Sequence, residues 1–220
     1  MLELANFSSR QFFLLALPII ILISMLFAFR TFARLMGARA GYLGGYIVYW
    51  IIWCGAVPLW ILGGNGILNL FRNPSSPFGQ PALMGILFLA LPVLLVLFTV
   101  FPQLVRQVTV PIVIFSALLA LVNGVAEEIL WRGLYANVFA HHFLFGYLYP
   151  ALGFAVWHFA PQSIYQREQP GGTAAFVWGA LFVGLCWGWV AWSTESILWT
   201  TASHVIMDFL GFGALIYSRN

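Results

Sequence analysis

Seven apolar runs follow one another along this chain, at about residues 12–29, 42–62, 82–101, 110–131, 144–160, 173–192 and 196–217. A helix needs roughly 20 apolar residues to cross the hydrocarbon core of a bilayer. Inside lipid each segment must also satisfy its own backbone, so helices or a closed barrel are the only options. The alternating pattern of a barrel strand is missing here. The runs therefore predict an all-α, polytopic transmembrane helical bundle of about seven helices, or eight if a re-entrant or interfacial element joins them. The charged fraction agrees: 7% of residues, where a soluble domain carries about a quarter. With 220 residues, the chain reads as a single integral membrane domain over 1–220. The first run is too long for a signal h-region and lacks a small-x-small exit, which predicts a retained transmembrane helix.

The net charge of +3 comes from nine arginines with no lysine. They are scattered and form no basic stripe interleaved with aromatics, so no nucleic-acid partner is expected; the bilayer is. Arg30, Arg34 and Arg39 lie in or beside the first loop. The positive-inside bias then predicts that loop inside the cell and the N-terminus outside. On that choice Arg106, Arg167 and Arg219 also fall inside, and Arg10 and Arg72 outside. Cys54 and Cys186 sit within apolar runs and read as small buried hydrophobes. Neither a CxxC nor a Cys/His cluster suggests structural zinc.

Ionisable groups at membrane depth are costly, and by default they mark function. Of the six acidic residues, Glu127, Glu128 and Asp208 lie in apolar runs, as do His158 and His204 of the four histidines. Glu127 and Glu128 project about 100° apart on a helix, so they do different work. Arg132 follows Glu128 by four positions, the spacing at which a carboxylate and a guanidinium meet on one face. That pair holds Glu128 and leaves Glu127 to face another helix. If the fourth and fifth helices form a hairpin turning near Phe143, Glu127 lies 16 residues before the turn and His158 lies 15 after it, at matched depth. His204 and Asp208, four apart, point the same way. His141 and His142 fall at the turn itself, where a solvated role is expected.

Two mechanisms fit these residues. In one, Glu127 is a general base held by His158 that activates water against a peptide carbonyl, since a buried carboxylate suits base work. His204 and Asp208 then stabilise the oxyanion, which requires Asp208 to be protonated or to act by orienting His204. In the other, His158, His204 and Glu127 hold a catalytic zinc with one open position. No His-Glu-x-x-His element specifies metal geometry, so the cofactor-free version is the primary reading and zinc the alternative. Ser203 points about 100° from His204, and no Gly-x-Ser-x-Gly occurs, which disfavours a serine nucleophile.

Glu-Glu-x-x-x-Arg at 127–132, Phe-x-x-x-His at 154–158 and His-x-x-x-Asp at 204–208 occur in that order. The set resembles the CAAX protease and bacteriocin-processing (CPBP, or Abi) family, which includes the CAAX prenyl endopeptidases of the Ras-converting type. The resemblance covers the C-terminal half, roughly residues 110–217. It implies a glutamate-dependent intramembrane endopeptidase, once widely labelled a metalloprotease. By motif position Glu127 is the base and His158 its partner, His204 and Asp208 form the oxyanion site, and Glu128 and Arg132 support them. The last position is often asparagine in the family and is aspartate here. A peptide or protein substrate in or at the membrane follows from the resemblance; a prenylated substrate does not carry over. The short, lysine-free chain suggests a prokaryotic inner membrane. The competing classes are a non-catalytic immunity or binding protein and a proton-coupled transporter. The latter usually shows repeats and half-helices, and neither is legible in the sequence.

Overall fold

The computed structural model describes residues 7–165 and 171–217. Glu3, Arg167, Glu168 and Arg219 lie outside the described residues. The described chain is an all-α bundle. Six helices are long and apolar enough to cross a membrane: α1 (Ser9–Met36), α2 (Ala38–Leu70), α3 (Ala82–Gln107), α4 (Val110–Val138), α5 (Phe143–Gln162) and α6 (Gly172–Thr194). A seventh, α7 (Leu198–Leu210), has 13 residues. At 1.5 Å per residue it is about 20 Å long, short of the roughly 30 Å of a hydrocarbon core. The expected seventh span is therefore a half-length helix. It stops at Gly211, Phe212 takes a left-handed φ of 42°, and a 3₁₀ turn, Gly213–Tyr217, finishes the described chain.

α1 begins on a capping box between Ser8 and Gln11. It buries Leu14, Leu17, Ile21, Met25 and Phe29, a stripe at helical spacing. Its other face exposes Ile19, Ile23 and Phe27, as expected where the solvent is itself apolar. Pro18 cannot donate to the carbonyl four residues before it. That carbonyl, Leu14 O, accepts instead from the Tyr135 hydroxyl of α4 at 2.8 Å, and Leu15 O accepts from Tyr149 of α5. The proline thus supplies one of the two acceptors that fasten α1 to the helices beside it.

Successive long helices are antiparallel, so the start of α1 and the ends of α2, α4 and α6 share one end of the bundle. Contacts there tie them: Arg10 to Ile61 O at 3.2 Å, Gln11 to Val138 O at 3.4 Å, and Ile197 N to Leu70 O at 2.8 Å. From that end α7 runs back into the bundle against α3 and α4. A Cβ on Gly124 of α4 would lie 3.1 Å from Val205 N and 3.3 Å from Val205 Cα, so the bare glycine permits α7 to pack backbone to backbone.

Candidate active site

Two widened, π-helical turns flank the polar centre of the bundle. One, Ile129–Leu134, follows directly on Glu127 and Glu128 in α4. The other, Tyr49–Ala56, lies in α2. They are bonded to each other, Trp131 Nε1 donating to Tyr49 Oη at 2.7 Å. Such turns often occur at functional sites because they redirect side chains out of the regular helical register.

Glu127 and Glu128 are buried to within 1% of complete enclosure and face different partners. Arg132 Nη1 lies 3.2 Å from Glu128 Oε1 across one helical turn. The guanidinium stands 4.0 Å from the centre of the Phe154 ring and 5.5 Å from that of Trp187, a setting in which π-faces replace part of its lost hydration. His204 Nδ1 is 3.0 Å from the same Glu128 oxygen. Glu127 turns the other way. Trp157 Nε1 donates to its Oε1 at 3.1 Å, Asn123 Nδ2 donates to its Oε2 at 3.1 Å, and His204 Nε2 lies 3.5 Å from that second oxygen.

His204 is the pivot. Its Nε2 is also 3.5 Å from Asp208 Oδ2, and its ring stands 4.4 Å from that of Trp187. Asp208 takes a 2.8 Å bond from Asn123 Nδ2. With its side chain 25% exposed against 2% for His204, Asp208 is the acid of the cluster nearest an open surface. The structure thus brings together Glu127, Glu128 and Arg132 from α4 with His204 and Asp208 from α7.

His158 follows Trp157 in α5. Its Nδ1 contacts Phe154 O of its own helix at 2.6 Å, while the preceding residue, Trp157, reaches Glu127. Glu127 takes bonds from Trp157, Asn123 and Tyr49 and lies beside His204. His158 nevertheless edges the same aromatic floor: its ring is 4.7 Å from that of Phe154, whose ring is 6.3 Å from His204. Among the described residues no three His, Cys, Asp or Glu side chains are arranged to hold a metal ion. Ser203 gives its hydroxyl proton to Leu89 O at 2.7 Å and accepts from Trp187 Nε1 at 3.0 Å, a bridge between α7, α3 and α6.

Sequence reasoning missed three contributors. Asn123 stands four residues before Glu127 in an apolar run, and an amide at membrane depth is itself a signal. Trp50 and Trp157 offer none, because an indole among Phe, Ile and Val reads as core.

Fold and cluster define a multi-pass membrane protein with a buried acid–imidazole centre. Residues 108–210, essentially α4 to α7, match the model of the Rce1-like family, the type II CAAX prenyl endopeptidases. The motif resemblance to the CAAX proteases is thereby shown, and the match supports the general class of a CAAX-type intramembrane endopeptidase. No curated protein and no solved structure matches the chain.

Proposed function

We propose that this protein is an intramembrane endopeptidase that hydrolyses a peptide bond of a membrane-associated or C-terminally anchored substrate, with Glu127 as the base that activates water. The observation that carries the proposal is the seat of Glu127. It is a fully buried carboxylate held through both oxygens by neutral donors, beside an imidazole from another helix. Structural ion pairs at a membrane edge need no such arrangement.

The hydrogen bonds around His204 define what it can do. Glu128, paired with Arg132, only accepts, so Nδ1 of His204 carries a proton. Nε2 faces Glu127 and Asp208, and it either bears a second proton or accepts one from an acid. In the first state it donates to the oxyanion that forms when water adds to the carbonyl. Glu127 takes the proton of that water and returns it to the leaving amine. Asp208 orients Nε2 or, protonated, adds a second donor. His158, at the rim of the Phe154 floor, is assigned to holding the water with Glu127. Glu128 and Arg132 fix His204.

The arginine bias puts the α1–α2 turn, with Arg30, Arg34 and Arg39, in the cytoplasm. The prokaryotic inner membrane is the proposed location. To test the activity, membranes from cells expressing the protein or Glu127→Gln at equal level are compared by mass-spectrometric profiling of new peptide termini. The proposal expects termini that appear with the unmodified chain and vanish with the variant. Identical profiles would leave a binding or immunity protein as the better reading.

A further inference from the structure

We infer that Trp50 and Asn123 are positioning residues of this active site, so that α2, outside the stretch shared with the protease family, sets the orientation of the base. The inference rests on the proposed role of Glu127.

An asparagine amide has two ends that a structure distinguishes by their partners. At Asn123 the partners leave one choice. The Trp50 indole N–H is only a donor and lies 3.0 Å from Asn123 Oδ1, which fixes that atom as oxygen. The amide nitrogen then faces Glu127 Oε2 at 3.1 Å and Asp208 Oδ2 at 2.8 Å. Its two protons serve one oxygen of each acid. Asn123 therefore joins the base on α4 to the acid on α7, and Trp50 keeps the amide from turning over. A flipped amide would set a carbonyl oxygen against two carboxylate oxygens.

The other oxygen of Glu127 is governed by the neighbouring residue of the same helix. Oε1 accepts from Trp157, and the Trp157 ring lies flat on that of Tyr49, with centroids 3.7 Å apart and planes 12° apart. Tyr49 and Trp50 are consecutive at the start of the π-helical turn in α2. Both oxygens of the base are thus aimed by groups that α2 holds in place.

Proteoliposomes carrying the full chain would be assayed with an internally quenched peptide built on a bond identified by Glu127-dependent terminus profiling. The variants are Asn123→Leu, Trp50→Phe, the two combined, and Glu127→Gln. Misplacing a catalytic group by about an ångström costs on the order of 100-fold. Asn123→Leu is expected to lower kcat by about 10- to 100-fold with KM within about two-fold, because the loss falls on the transition state. Trp50→Phe keeps an aromatic ring and removes only the N–H, and is expected to lower kcat by about three- to ten-fold. The combined variant is expected to be no slower than Asn123→Leu, since Trp50 acts through Asn123. An Asn123→Leu enzyme at full kcat, or losses that multiply in the combined variant, would overturn the inference and leave the base assignment standing. Cleavage that survives in Glu127→Gln would overturn both. Should Asn123→Leu fail to fold, the kcat of Trp50→Phe decides alone, and full kcat there counts against the inference.

Discussion

Arg132 illustrates how much a single side chain settles here. Its charge anchors Glu128, and its flat guanidinium lies against two aromatic faces. Lysine would keep the charge and lose the plane, the two-pronged donor set and the weak hydration that make burial tolerable. Arg132→Lys is expected to destabilise the protein by about 1–3 kcal/mol and to slow cleavage by freeing Glu128 and His204. Thermal unfolding in detergent, read beside turnover, checks both effects; unchanged values would contradict the assignment. The sequence made this pair legible, because four residues on one helix leave little freedom and charges in an apolar run stand out. It made His204 and Asp208 legible for the same reason. It did not separate Trp157 from His158. Equal depth along a hairpin specifies a layer, whereas a difference of one residue turns a side chain through about 100°. The structure adds a bond from the Trp157 indole to Glu127.

Among the elements, α7 decides whether the site exists, and Gly124 decides where α7 lies. A branched side chain at 124 would meet Val205 backbone at about 3 Å and push the helices apart. Gly124→Val is expected to lower cleavage by on the order of 100-fold, the cost of moving reacting groups by an ångström, while the chain still inserts. Full activity in this variant would show that α7 need not approach so closely. Away from the site, Tyr135→Phe removes the hydroxyl that serves Leu14 O, the carbonyl left by Pro18. The expected cost is about 1 kcal/mol of stability with turnover unchanged, and a large loss of turnover would place Tyr135 nearer the chemistry than its contacts do. Proline inside an apolar run announced a carbonyl in need of a donor, but which helix would provide it depends on packing that a linear pattern does not contain.

At the scale of the whole molecule, the described residues form six spans and one half-length helix, the seven helices that the apolar runs predict. Hydropathy read residues 196–217 as a span because apolar residues outnumber polar ones from Leu198 to Tyr217. Gly211 and Gly213 ended the helix after 13 residues, and apolar content alone does not reveal where a helix stops. The bundle follows a simple division: apolar faces outward, aromatic packing within, and Glu127, Glu128, Arg132, His204 and Asp208 gathered where α4 and α7 meet. The account depends on that meeting. Its most direct test is crosslinking between Asn123→Cys and Asp208→Cys with a short bis-methanethiosulfonate in native membranes, after Cys54 and Cys186, both buried, are replaced by alanine. Phe27→Cys with Asp208→Cys is the comparison, because Phe27 is 74% exposed on α1. Rapid crosslinking of the first pair and none of the second is the predicted result. Crosslinking of 123 with 208 no faster than that of 27 with 208 would mean that the acid and imidazole of α7 do not reach the glutamates of α4.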